Sequence, residues 1–363
     1  MVIQTWTRWQ GAIEAEGLGF MAAPEYQVFP TGERPLKPYQ VVARAAVVSR
    51  EQLRDVAPDV VVADILTLAP ALAAELEGVP LATLIPHVDP RPAPGFPPYS
   101  LGARLPRTAF GARAWGAFDR VLERGLEQGR RELNETRRRL GLPPQAWVHN
   151  GISRSLAIVG TFPQLEYPRA VPEPATHVVG PLQWEPPYRD VSLPPGDEPL
   201  VLVAPSTAQD KEHRMLRAAL SALADLPVRV LATYNRRLPS RPLPAPPNAR
   251  LVEWVAYSRT MPACDVVVCH AGHGTVARAL SSGCVVVACP AAGDMNENAA
   301  RVDWAGVGVR LPRRLVTPTG IRVAVSRALA DPSLRDRARS LADWIAVRDP
   351  ADRAAELVEQ LSR

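Results

Sequence analysis

The chain has 363 residues, 47% hydrophobic and 22% charged, with a mean hydropathy of -0.07; this composition excludes a disordered chain and leaves room for about two globular domains at roughly 150 residues each. The formal net charge of +5 invites nucleic acid as a partner, but Lys37 and Lys211 are the only lysines, the arginines mostly alternate with acids as in RGLEQGRRELNETRRRL, and no recognition motif accompanies them, so none is expected. The longest apolar candidate, Ala279 to Gly293, is 15 residues long and broken by Pro290, short of the roughly 18 a membrane span needs, and MVIQTWTRWQ lacks an export signal, so a cytoplasmic protein is expected.

In chain order, short apolar and β-branched runs predict strands near Val60 to Ala63, Leu81 to Ile85, Leu156 to Gly160 and His177 to Val179. Others follow at Leu200 to Ala204, Val228 to Thr233, Asp265 to Cys269 and Val285 to Cys289. Helical patterns fill the gaps: Pro38 to Val56, Ala69 to Glu77, one long stretch from Gly111 to Leu140, Lys211 to Ala224, Thr275 to Ser281, Asn296 to Ala305, and three more after Thr317. Such alternation predicts an α/β protein with parallel sheets covered on both faces, in two doubly wound, Rossmann-like domains. Between the two groups of strands, WEPPYRDVSLPPGDEP (Trp184 to Pro199) is rich in prolines and turn residues and predicts the interdomain linker.

Cys264, Cys269, Cys284 and Cys289 cluster beside His270 and His273, which suggests a metal site. Strand parity opposes it. Residues five apart on a strand face opposite sides, so the four thiols do not converge on one ion, and buried reduced cysteines are expected. No Asp-x-Asp occurs in the chain, which further disfavours a metal-bridged diphosphate.

The strand ending at Cys269 runs into His270, Ala271, Gly272, His273, Gly274 and Thr275 just before a helix. Glycines there let backbone approach a ligand, and the unpaired first amides of the helix favour an anion. His270 adds a donor, and Thr275 is read as both helix cap and phosphate contact; the bland alternative is a capped turn with incidental histidines. Gly272, Gly274 and Ala277, with Asp294 downstream, also fit a dinucleotide fingerprint, although that pattern usually follows the first strand of its domain.

The whole block Leu251 to Leu311 resembles the nucleotide-sugar signature of GT-B fold glycosyltransferases, the family of plant natural-product glucosyltransferases and bacterial antibiotic and macrolide glycosyltransferases. The residues that carry the likeness are Trp254 after a strand, the His270 to Thr275 loop, Gly283, Pro290, Asp294, and Asn298 with Ala299. PDVVVADILTLAPALAAELEGVP and EYPRAVPEPATHVVGPLQW look like that family's acceptor domain. The resemblance implies a GT-B arrangement: an acceptor domain over residues 1–184, a linker at 185–199, a donor domain at 200–348, and a helix in 349–363 that returns to the first domain. It also implies that His270, Gly272, Gly274 and Thr275 hold the donor diphosphate, with hydroxyls from Ser206 and Thr207. Trp254 would lie against the nucleobase, Val255 would offer its backbone to the base edge, and Asp294 would contact sugar hydroxyls beside Asn298. The bland alternatives are core packing for Trp254 and an N-cap for Asp294.

Departures from the family pattern shape the expected donor. Met295 stands where the family has Gln, which a deoxysugar would miss least, and Arg278 stands where plant relatives grip the ribose with Glu, so a dTDP-sugar is as compatible as a UDP-sugar. The nucleotide sugar is a co-substrate, and no cofactor or metal is expected. The family's catalytic His and its strand have no counterpart: VIQTW with RWQGAIEAEGLGF looks like the second strand and helix, which points to a misplaced start or a truncated chain. Asp64, ending VVVAD, matches the Asp that orients that His, or caps the following helix instead. His87 in LIPHVDP is an alternative base, against a plain loop histidine. The implied reaction is inverting transfer to a hydroxyl of a bulky apolar acceptor, whose pocket is built from loops such as His87 to Gly102. The alternatives are a catalytically incompetent donor-binding auxiliary of the same fold and an NAD-dependent oxidoreductase.

Overall fold

The computed structural model describes residues 1–24, 38–146, 152–173, 175–188, 190–206, 210, 212–239 and 241–363. Its first half contains β1 (Val2–Thr5), α1 (Gln10–Ala15), β2 (Gly19–Ala22), α2 (Pro38–Val56), β3 (Val61–Asp64), α3 (Leu68–Glu77), β4 (Leu81–Ile85), α4 (Ala109–Gly116), α5 (Asp119–Arg139), β5 (Leu156–Val159) and β6 (Thr176–Val178). All pairings are parallel, in two separate sheets: β1 with β2, and β3-β4-β5-β6.

The second half contains β7 (Leu200–Ala204), α6 (Arg214–Leu223), β8 (Arg229–Thr233), β9 (Ala249–Val252), α7 (Tyr257–Thr260), β10 (Val266–Cys269), α8 (His273–Ser281), β11 (Val285–Ala288), α9 (Asp294–Ala305), β12 (Gly308–Arg310), α10 (Pro318–Ala330), α11 (Pro332–Ala346) and α12 (Pro350–Leu361). Its six strands are parallel in the order β12-β11-β10-β7-β8-β9, with the order reversing between β7 and β10. Such a switch point opens a crevice at the carboxyl ends of the two strands, here Pro205–Ser206 and His270. The valine runs of β7, β10 and β11 bury every residue, as parallel strands covered by helices on both faces must. The fold is therefore α/β with parallel sheets.

Several elements differ from the sequence expectation. The stretch from Gly111 to Leu140 is two helices, because Ala117 N and Phe118 N donate three residues back, to Ala114 O and Trp115 O, and the ladder stops just after Gly116. Helix α8 starts at His273 with Gly272 as its N-cap, so Thr275 is the third residue of the helix and not its cap. Helix α9 starts at Asp294 itself after Gly293 in the left-handed region, so Asp294 is not an N-cap either. Strands β2 and β12 were not expected from residue pattern. The start of the helix at Lys211 lies outside the described residues, and the observed α6 begins at Arg214.

The halves meet through shared packing and a polar seam. Val88, Phe162 and Leu165 of the first half join the core of the second. In return, α12 lays Leu357 against Ala82, Leu156 and Ile158. The linker segment is strapped to the second half. Glu185 accepts from Tyr257 N and Ser258 N at 2.8 and 2.9 Å, and Asp190 pairs with Arg259 at 2.8 Å. No helix among the described residues is long and apolar enough to cross a membrane.

Candidate active site

The loop from β10 to α8 is bent by Ala271, which holds φ +62°, a conformation L residues adopt only when their surroundings impose it. Asn298 on α9 supplies part of that constraint by donating from Nδ2 to Ala271 O at 3.0 Å. A Cβ at Gly272 would stand 2.5 Å from His270 Nε2, so glycine is what lets the imidazole lie across the loop. Gly274 has open space around the position of a Cβ and is exposed at the helix end. The first turn of α8 follows this loop directly, with its unpaired amides and the helix dipole at that end.

His270 is pushed below the ordinary histidine pKa by burial, against the Ala204 carbonyl, so at neutral pH it is uncharged. Its Nδ1 is buried with no hydrogen-bond partner in good geometry. It lines a cleft of about 190 Å³ together with Ser206, Pro290, Ala291, Arg214 and Arg313. Asp210 also borders the cleft, but its carboxylate accepts from Arg214 N and Met215 N at 2.7 and 3.0 Å and closes the start of α6. Two arginines, Arg214 and Arg313, with the Ser206 hydroxyl give this cleft its anion-receptive character. Arg214 and Arg313 were missed in sequence, where nothing tied either to the glycine loop. Thr207 lies outside the described residues.

Trp254 is half-buried at the exit of β9 and is not part of the main core, whereas the Val255 side chain is buried within it. The Trp254 face is not bare. The Arg236 guanidinium carbon lies 4.6 Å from its ring centroid and 5.3 Å from that of Tyr188, and the two rings meet edge-on at 6.5 Å. Arg236 and its neighbour Asn235 both hold positive φ, 60° and 51°, and the turn is pinned by Arg236 N to Glu253 O at 3.0 Å and by Asn235 Nδ2 to Pro205 O. The sequence gives no sign of this stack, since its members come from the linker, the exit of β8 and the exit of β9. Arg278 is partly buried on α8 and its pKa is lowered by burial, with Glu185 opposing.

Asp294 is exposed at the start of α9, and Met295 packs against the core. One turn further along the same helix, Glu297 and Arg301 are buried and bonded through Nε and Oε1 at 2.8 Å. Arg301 crosses to the first half, donating to Leu165 O at 2.9 Å and pairing with Glu166 Oε2 at 3.3 Å, with its guanidinium carbon 3.6 Å above the Tyr167 ring. His273 Nε2 also crosses, 3.2 Å from Gly160 O, and its pKa falls to about 4, first through burial. His87 lies past the end of β4, half-buried, with its ring centroid 6.2 Å from that of Tyr99. Asp64, at the end of β3, accepts from Leu66 N at 2.7 Å and thereby closes its own turn, while Thr67 before α3 makes no side-chain cap.

The cysteines are buried thiols. Cys284 Sγ donates to Met261 O and Cys264 O, and burial pushes the Cys264 and Cys269 pKa values up to about 12. Among the described residues no three potential metal ligands gather.

Comparison with known proteins adds names to this geometry. A family model described as erythromycin biosynthesis protein CIII-like, C-terminal domain, matches residues 217–362. The 4'-demethylrebeccamycin synthase of Lentzea aerocolonigenes is 34% identical over 327 residues, covering 85% of this chain and 75% of the relative. A PGL/p-HBAD biosynthesis glycosyltransferase of Mycobacterium tuberculosis is 30% identical over 308 residues, covering 81% and 68%. Among solved structures, the glycotransferase of kitacinnamycin aligns with a TM-score of 0.75 at 23% identity over 99% of this chain and 90% of that one. The glycosyltransferase VinC in complex with dTDP aligns with a TM-score of 0.71 at 19% identity over 99% and 92%.

Proposed function

The chain belongs to the family of EryCIII-like natural-product glycosyltransferases, and from that footing we propose that it moves a sugar, with inversion, from a dTDP- or UDP-sugar to a hydroxyl of a bulky apolar acceptor. One observation carries the donor assignment: the switch point between β7 and β10 sets Ser206 and His270 at one cleft with Arg214 and Arg313. A diphosphate leaving group gains negative charge as the glycosidic bond breaks, and fixed amide dipoles with the Arg214 and Arg313 guanidiniums stabilise that charge without reorganising. No metal is required by this reading.

In it, Gly272, Gly274 and Thr275 present the amides and hydroxyl of the first turn of α8, and Asn298 keeps the loop in its strained form. Trp254 and Val255 flank the nucleobase, and Asp294 meets the sugar. The dTDP option is supported by Arg278 standing where a ribose-gripping Glu is absent, by Met295 at the sugar, and by the dTDP bound to VinC. A nicotinamide cofactor fits less well: Gly272 and Gly274 follow β10, the fourth strand of their half, and the relatives are named as transferases. The apolar acceptor is supported by the aromatic side chains Phe96 and Tyr99 in the loop after β4, both half-buried.

His270→Ala tests the donor assignment. It should weaken dTDP and UDP binding by about 1 to 3 kcal/mol, roughly 5- to 150-fold, the range for losing a partner to a charged phosphate. Calorimetry on a variant with a native melting profile measures this, and unchanged affinity for both nucleotides overturns it.

A further inference from the structure

Arg214 and Arg313 reach the donor cleft from two separate elements. Arg214 is the first residue of α6 and Arg313 the first of the turn Arg313–Leu315 after β12, and both line the cleft with Ser206, His270 and Pro290. Among the described residues neither guanidinium makes an ion pair or a hydrogen bond, whereas Arg259, Arg301 and Arg322 of the same half each hold an acid at 2.8 to 3.1 Å. Both placements are costly for the chain alone. A cation on the first turn of a helix opposes its dipole, and two like charges at one cleft repel.

The chain supplies little to offset them. The one carboxylate in the lining, Asp210, is committed to Arg214 N and Met215 N at 2.7 and 3.0 Å. His270 adds no charge at neutral pH, since burial lowers its pKa. The lining therefore sets two positive charges against one negative charge whose oxygens already accept from the backbone.

Resting on the donor reading above, we propose that Arg214 and Arg313 sense the charge of the terminal phosphate, so that the cleft holds the nucleoside diphosphate product more tightly than the nucleotide-sugar donor. The reaction itself makes the charge difference. The acceptor oxygen bonds to the anomeric carbon and gives up its proton to solvent, and the electron pair of the broken bond stays on the β-phosphate oxygen. The sugar-esterified diphosphate carries about two negative charges at neutral pH and the released one about three, because a terminal phosphate loses its second proton near pH 6. Neutral donors such as the Ser206 hydroxyl meet phosphate oxygens in either species, so discrimination by charge falls to the two cations. Groups that favour the charged product also favour the departure of the diphosphate, and they slow its release. Sustained turnover then depends on a reaction that phosphorylates or hydrolyses the nucleoside diphosphate.

Calorimetry at low salt, with dTDP against dTDP-glucose and UDP against UDP-glucose, tests this without an acceptor. The parent should bind each diphosphate about tenfold more tightly than its glucose ester, as expected for one added charge facing two cations in a partly exposed cleft. Arg214→Gln combined with Arg313→Gln should bring that ratio to within about twofold of unity, with each single variant between. Arg214→Lys combined with Arg313→Lys keeps the charge and should keep most of the ratio. Added salt should shrink the ratio of the parent and leave that of the double Arg→Gln variant unchanged. Both side chains are exposed, and a parental melting profile confirms that the variants fold. A parent that does not prefer the diphosphates, a double Arg→Gln variant with the parental ratio, or a double Arg→Lys variant as unselective as the Arg→Gln one overturns the proposal. A parent that binds neither the diphosphates nor their glucose esters overturns the donor reading instead.

Discussion

Strands β7, β10 and β11 bury all their residues, whereas β1 and β2 bury none and β3 alternates between buried and exposed positions. Both halves use the same strand-loop-helix grammar, but the second closes it into one six-stranded sheet and the first distributes it over two. Exposure follows: Val62 and Leu66 of the first half are 46% and 78% exposed, and α4 buries no residue. The half with the anion cleft is thus a rigid frame in which His270 and the α8 amides hold fixed positions, as charge stabilisation requires. The first half carries its long loop after β4, with His87 and Tyr99, where changes of shape cost the core little.

The comparison is broken most severely at the seam. Arg301 is 2% exposed and joins Glu297 of its own helix to Glu166 and Leu165 O of the other half. Burial already raises the Glu166 pKa, and Arg301 is the largest of the charges that oppose it, ahead of Arg169. Arg301→Ala takes from the buried Glu297 its ion-pair partner and from Glu166 the larger of its two, and breaking such a buried pair typically costs about 3 to 5 kcal/mol. The expected outcome in calorimetric melting is a lower first transition that splits from the second as the halves uncouple. A single transition at the parent temperature would mean that the seam does not couple them.

Next in size is a matched pair of truncations inside the two halves. Leu202 in β7 is fully buried, and Leu202→Ala should cost about 2 to 5 kcal/mol through lost transfer energy and a residual cavity. Val62→Ala on β3 removes a partly exposed side chain and should stay within about 0.5 kcal/mol. Denaturant midpoints measure both, and comparable losses would erase the contrast between the halves. Hydrogen exchange sharpens it: amides of β7 and β10 should exchange last, and those of β1 and β2 early.

The legible parts of this molecule are those whose cause is local. Buried parallel strands need continuous β-branched runs, so LVLVA, VVVC and VVVA announce β7, β10 and β11, and the glycines after Cys269 mark a close backbone approach. Strand β12 has three residues, too few to show a period, and β2 reads GFMA. The start of α8 was misplaced because Ser and Thr cap most clearly, and here the N-cap is Gly272 with no side-chain bond. The Arg236 stack on Trp254 was illegible for a different reason. It depends on non-glycine residues at positive φ and on a linker tyrosine, and only tertiary contacts impose either. Arg301 likewise looks like any helix arginine until Glu166 arrives from 135 residues away.

The smallest expected effect is a pH dependence carried by one ring of the seam. His273 has a folded pKa of about 4, lowered first by burial and then by the neighbouring His87, against the supporting contacts with Gly160 O and Asn298. Its unfolded pKa is near 6.5. Because the unfolded chain binds the proton more readily, stability from this group is complete above about pH 6.5 and is lost as pH falls from there toward 4. Between pH 7.5 and 5 the loss should be about 1 to 2 kcal/mol, and it concerns the contact between halves, since the protonated ring would keep Gly160 O as a partner but carry its charge into a desolvated site. Denaturant unfolding of the parent and of His273→Gln at the two pH values isolates the term: the variant should lose less stability on acidification by about that amount. Equal pH slopes in both proteins would show that His273 is solvated in the folded state and does not take part in holding the halves together.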